Sequence, residues 1–159
     1  WKYSGVQLID EVNNLKPRAV LDVGCGYNEF RGKINNLIGI DPYNKNADFE
    51  VGTLEYKTDQ KFDAILCLGS VNFGNRDKII AEVSRCVHLL ADSGIMFFRV
   101  NPGIQHDKPE AKWIEFYAWN VPFIIELSNM FNLDILDIRD DTNQRKYFIF
   151  RKKLTNLEK

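Results

Sequence analysis

The chain has 159 residues, 45% of them apolar and 27% charged, with a formal net charge of -1, values ordinary for one compact domain that exclude a disordered segment. Twenty-one basic residues against twenty-two acidic ones leave no overall field to draw the chain to nucleic acid or an anionic membrane. The longest apolar stretches, such as 121–127, end well before the ~20 residues that a membrane span needs.

At the amino end, Lys2, Asp10 and Glu11 interrupt any signal-peptide core, so the expected location is cytoplasmic with no membrane partner. Trp1 in place of Met is expected to mark a processed, trimmed or incomplete terminus. Val6, Leu8, Ile9, Val12 and Leu15 recur at helical spacing over 5–15, and Pro17 ends that helix. Residues 19–23 read as a buried strand closed by Gly24 and Gly26, followed by a brief helix over 29–35. A second strand, 37–41, stops at Pro42, and 48–54 reads as a third with no space for a full helix before it. Residues 62–68 give a fourth strand. A clear helix from about 76 to 90 follows, capped by Asn75, with Ile79, Ile80, Val83, Val87 and Leu90 on one face.

Gly94 opens a fifth strand over 95–100. After a polar loop come the aromatic stretch 113–119 and a helix from Pro122 to Phe131. At the carboxyl end the pattern changes, and 133–138 and 147–150 flank the polar turn 140–145, as in an antiparallel hairpin. No repeat or linker divides the chain, which reads as a single domain over 1–159 with possible self-association left open. Alternating strands and helices imply an α/β fold, a mostly parallel seven-stranded sheet with shortened helices that finishes in an antiparallel hairpin. Cys25, Cys67 and Cys86 are odd in number and form no CxxC pair, which argues against disulfides and a zinc site and predicts buried thiols, with no metal.

Open α/β sheets bind ligands beyond the carboxyl ends of their strands, where the strand order switches. Asp22, Gly24, Cys25 and Gly26 follow the first strand, and glycines there let a ligand approach the backbone. Asp41 ends the second strand, where a carboxylate can accept hydrogen bonds from ribose hydroxyls. A dinucleotide fingerprint would need glycine at Glu29, and a pyrophosphate would sit badly beside that carboxylate. A ligand with a ribose, a cationic centre and no phosphates fits better; a nucleotide-sugar or NAD-binding domain is the weaker reading.

These segments resemble the class I S-adenosylmethionine-dependent methyltransferases, whose fold is Rossmann-like. Residues 20–26 (Val-Leu-Asp-Val-Gly-Cys-Gly) are similar to the family's first motif and 38–41 (Ile-Gly-Ile-Asp) to its second. Residues 62–67 resemble the fourth-strand motif, and 89–94 the stretch where the family often has Leu-Lys-Pro-Gly-Gly. The resemblance implies a methyltransferase with S-adenosylmethionine as cofactor. Asp22, Gly24 and Gly26 would line its methionine part, Asp41 the ribose, backbone amides or Thr53 the adenine, and Leu68 and Gly69 the methylthio region, with Cys25, Pro42 and Leu54 also at the cofactor. Two positions depart from the pattern: Thr53, with Glu55 slightly beyond, stands where the family often has an acidic residue toward the adenine amine. Asn28 stands in place of a frequent third glycine.

Methyl transfer from a sulfonium is an in-line displacement, so the protein mainly positions two reactants and excludes water. The acceptor is expected to be a small molecule, such as a sugar or other metabolite, held by Ser70, Asn72, Phe73, Arg99, Asn101, Trp113 and Tyr117. His106 is the general-base candidate, because its ordinary pKa is near neutrality and it falls in a loop above the cleft; a solvated loop histidine is the plainer alternative. Trp113, Phe116 and Tyr117 share a helical face that suits either an aromatic pocket or packing on the sheet. Nucleic acid is disfavoured as acceptor, since 68–73 (Leu-Gly-Ser-Val-Asn-Phe) lacks the Asx-Pro-Pro-aromatic motif of amino-methylating DNA enzymes. The competing reading from another class is a non-catalytic cofactor-binding module that regulates or scaffolds a partner.

Overall fold

A computed structural model describes residues 6–71, 74–100, 117, 119–141 and 145–154. In chain order they form α1 (Val6–Asn14), β1 (Val20–Val23), β2 (Leu37–Ile40), β3 (Phe62–Cys67), α2 (Arg76–Leu89), β4 (Leu90–Val100), α3 (Val121–Met130), β5 (Leu133–Asp141) and β6 (Arg145–Lys152). The strands make one sheet in the order β2-β1-β3-β4-β6-β5. The first four are parallel, and β6 runs antiparallel to both β4 and β5. The expected α/β sheet with its closing hairpin is therefore present. Because β1 is flanked by β2 on one side and β3 on the other, the strand order reverses at β1, the place where such sheets open a ligand crevice.

Three expected elements differ. The described sheet has six strands rather than seven, because 48–54 meets β2 through the isolated bridge Ile40–Phe49 and a few bonds around Gly39 rather than a continuous ladder. Val51 N then donates to Phe49 O at 3.0 Å, and Gly52 O accepts from Glu55 N and Tyr56 N, so the segment curls into a turn instead of running along the edge. The short helix expected over 29–35 is a series of turns with a bridge between Arg31 and Ile34. Positive φ at Asn28 (60°) and Gly32 (78°) prevents a continuous helix there. The strand expected from 95 begins at Leu90, which also caps α2, and shifts register between the pairs Phe62–Leu90 and Ala64–Ile95; Ser93 at φ 63° lies in that irregular stretch.

The sheet is packed on both faces, which is why β1 and β3 read as near-continuous apolar runs. Leu8 and Val12 of α1 cover one face over Val20, Ala64, Leu66 and Phe97. Ile79, Val83 and Cys86 of α2, with Phe123 and Leu127 of α3, cover the other. On that side Trp119 is fully buried against Phe98 and Phe148, and its indole N–H donates to Val71 O at 2.9 Å. The last turn of α2 is satisfied from outside: Lys61 Nζ bonds His88 O, and Lys152 Nζ bonds Val87 O and Leu90 O at 3.0 and 2.9 Å. Among the described residues no helix is long and apolar enough to cross a membrane.

Candidate functional site

The carboxyl ends of β1, β2 and β3 converge on one spot. Beyond β1, Gly24 N and Cys25 N both donate to Ile40 O, at 2.8 and 2.9 Å, which ties the turn to the end of β2. Gly24 has φ +68°, and a Cβ built on it would lie 2.2 Å from Ser70 Cβ. Only glycine meets both demands, so the turns after β1 and β3 can touch. Ser70 closes the contact by donating its hydroxyl to Val23 O at 2.9 Å.

Asp41, one residue past β2, is held by the backbone on both sides. Its Oδ2 accepts from Gly26 N at 3.0 Å and its Oδ1 from Tyr43 N at 2.8 Å. Each carboxylate oxygen carries two lone pairs, so these bonds set the orientation of the group and leave it able to accept further donors. Behind it, Asn28 takes the left-handed conformation, φ 60°, where the resembling family often has glycine; asparagine tolerates that region better than most side chains. Its side-chain amide donates to Asn46 O at 3.0 Å and Asp48 Oδ2 at 3.3 Å. Asp48 Oδ2 also accepts from Gly39 N at 2.7 Å, so one buried amide and one carboxylate lock the loop 42–48 under β2.

These turns wall a cleft of about 660 Å³, within the range of small-molecule sites. Gly24, Asp41, Pro42 and Tyr43 form one side, Gly52 to Glu55 another, and Gly69, Ser70 and two charged residues of α2, Lys78 and Glu82, the third. Among the described residues the walls carry Asp41, Glu50, Glu55 and Glu82 against one cation, Lys78, which favours a cationic ligand. Beneath the cleft floor Asp22 is 4% exposed. Burial, and then the charge of Asp41, push its carboxyl up to about 7. The half-buried Cys25 thiol is pushed up to about 12, by burial first and then by Asp22, Asp41 and Asp48, so it is protonated and no nucleophile. Cys67 and Cys86 are buried, as expected, whereas Cys25 is only half-buried because it sits in the turn beyond β1, and no cluster of metal ligands occurs among the described residues.

Of the expected cofactor residues, Gly24, Asp41, Pro42, Thr53, Leu54 and Gly69 line the cleft, as does Ser70 from the acceptor set. Asp22, Cys25, Gly26 and Leu68 do not: Gly26 acts by holding Asp41, and Leu68 packs on the cluster beneath α1. Arg99 is half-buried near the end of β4, in register with Tyr147 of β6. Tyr117 is half-buried, its ring 4.7 Å from that of Phe123, and lies outside the cleft walls. Asn72, Phe73, Asn101, His106 and Trp113 fall outside the described residues. The sequence reading missed Tyr43, Glu50, Val51, Lys78 and Glu82. A signal for Glu82 existed, since it falls between Ile79, Val83 and Cys86 on the inward face of α2, where a charged residue is uncommon unless it has work or a partner there.

No protein-family model matches the chain, and no curated protein sequence matches it significantly. Solved structures do. A 1,6-didemethyltoxoflavin-N1-methyltransferase from Burkholderia thailandensis, crystallised with 1,6-didemethyltoxoflavin and S-adenosylhomocysteine, superposes with a TM-score of 0.72 at 16% identity, over 93% of this chain and 77% of that one. The N-methyltransferase NodS from Bradyrhizobium japonicum WM9 gives 0.65 at 13% identity, over 93% and 96%. Magnesium protoporphyrin IX methyltransferase from Synechocystis PCC 6803, with bound SAM, gives 0.66 at 13% identity, over 92% and 79%. The chain thus has the fold of class I S-adenosylmethionine-dependent methyltransferases.

Proposed function

We propose that the chain is an S-adenosylmethionine-dependent methyltransferase acting on a small molecule. The observation that carries this reading is the cleft itself: Gly24 in contact with Ser70 at the strand-order switch, with Asp41 oriented by Gly26 N and Tyr43 N, in a pocket walled mostly by carboxylates. Those features fit the adenosyl cofactor. The glycine admits a ligand against the backbone, Asp41 keeps lone pairs for the two ribose hydroxyls, and Pro42, Tyr43 and Leu54 offer apolar surface to a flat ring. Net negative walls suit a sulfonium, whereas the pyrophosphate of a dinucleotide would be repelled.

When bound, the cofactor supplies an electrophilic methyl group on sulfur. The chain's part is to hold the reacting partners in line and to exclude water. Arg99, near the end of β4, is the residue we assign to orient the acceptor, and His106 the residue to take its proton where the attacking atom is a hydroxyl. The structural neighbours act on acceptors as different as a toxoflavin precursor and a magnesium porphyrin, which supports small molecules as the acceptor class without selecting one.

Calorimetry with S-adenosylhomocysteine tests the reading. The wild-type chain should bind it, and Asp41→Ala should weaken binding by about 10–100-fold, the worth of hydrogen bonds to a charged acceptor. Absence of binding to the folded wild-type chain, or an unchanged affinity in Asp41→Ala, refutes it. Binding without methyl transfer to any of a broad panel of acceptors would instead favour a regulatory or scaffolding module.

A further inference from the structure

The resemblance leaves one polar group of the cofactor without its usual partner. Thr53, buried at 8% exposure, stands where the resembling family often has an acid toward the adenine amine. Across the same cleft, α2 presents a carboxylate. Glu82 is 7% exposed and lines the cavity, and its Oε1 has no hydrogen-bond partner among the described residues. The cation paired with it is Lys78, one turn earlier, with Nζ 3.6 Å from Oε1, an ion pair at the edge of hydrogen-bond range that offsets part of the cost of burial. Glu55 faces it from the opposite turn and adds like charge, so that burial and Glu55 together raise its pKa against the pull of Lys78. A buried carboxylate oxygen without a donor costs stability. Lys78 balances the charge from that distance without closing the bond, so a ligand N–H in the cleft can still donate to Oε1, and an aromatic amine does so without a second charge.

Resting on the cofactor reading above, we propose that Glu82 accepts a hydrogen bond from the exocyclic amine of the adenine ring, making α2 rather than the segment after β2 the element that selects adenine. Glu55 and Glu50 line the same cleft but are exposed, and water already satisfies exposed carboxylates. Among the described acids of the cleft walls, Glu82 is the one that is both buried and short of a donor.

Titration calorimetry with S-adenosylhomocysteine and S-inosylhomocysteine, in which an oxo group replaces the amine, tests this on the full chain. Wild type should prefer the adenosyl ligand by about tenfold or more. Glu82→Gln should bring the two affinities within about threefold of each other, since a side-chain amide can donate to an oxo group, while Glu55→Gln keeps the preference. The proposal is overturned by a wild type that does not discriminate, by a Glu82→Gln variant that discriminates as wild type does, or by loss of the preference in Glu55→Gln instead. A folded wild type that binds neither ligand overturns the cofactor reading itself, so the two failures are distinct.

Discussion

Replacing Asp22 by asparagine should make the protein more stable at neutral and alkaline pH. In the unfolded chain the carboxyl titrates near 3.8, and in the fold burial and the charge of Asp41 raise it to about 7. Between those values the folded protein keeps a proton that the unfolded chain has released. The resulting stabilisation is fully present below the unfolded value and is lost as pH rises through the folded one. A displacement of about three pKa units corresponds to about 4 kcal/mol over the whole range, of which about 3 kcal/mol is lost between pH 5 and pH 8.5. Asparagine has nearly the same shape and does not ionise, so it lacks this contribution. Relative to the variant, wild type should lose about 3 kcal/mol between those two pH values, or about 6–12 °C in melting temperature for a chain of this size. Urea unfolding of both proteins at several pH values reads this difference directly, because carboxyls common to both cancel. Parallel stability curves from pH 5 to pH 8.5 would mean that Asp22 ionises in the fold as readily as in the unfolded chain.

Two further substitutions probe the turns that shape the cleft. Gly24→Ala should be more damaging than Gly26→Ala: both residues have positive φ, costing about 1–2 kcal/mol for a side chain, but only at Gly24 does the new Cβ fall 2.2 Å from Ser70 Cβ, with nothing within 4 Å at Gly26. Equal melting temperatures for the two variants would show that the contact with Ser70 yields without cost. Asn28→Ala should lose more stability than Asn28→Gly by about 1 kcal/mol in urea unfolding, since both remove the bonds to Asn46 O and Asp48 and only alanine is also strained at φ 60°. An alanine variant as stable as the glycine one would mean that the backbone at 28 relaxes.

Much of the site is legible in the chain because it is written in local sequence. Val20 to Gly24 is a run apolar but for Asp22 and ended by glycine, and Ile38 to Asp41 one ended by a carboxylate; strand ends and turn residues are decided by neighbours in the chain. The terminal hairpin is legible for the same reason. The segment 48–54 misleads because Phe49 and Val51 alternate with polar residues as an edge strand would. Its pairing with β2 depends instead on Asp48, whose backbone N–H bonds Gly39 O and whose carboxylate bonds Gly39 N, and on the turn that follows. That competition between side chain and ladder has no signature in periodicity.

Local sequence therefore sets the order and type of the long elements and the two carboxylates at strand ends, since backbone propensity and hydrophobic period act over a few residues. Which charges share a cavity is a matter of packing. Asp22 is raised by its burial in the sheet and then by Asp41 at the end of the neighbouring strand, and Glu82 lacks a close donor because α2 packs it inward against a turn that lies far earlier in the chain. Burial and Coulomb interaction depend on distance in space, and the chain order does not contain that distance until the sheet has formed.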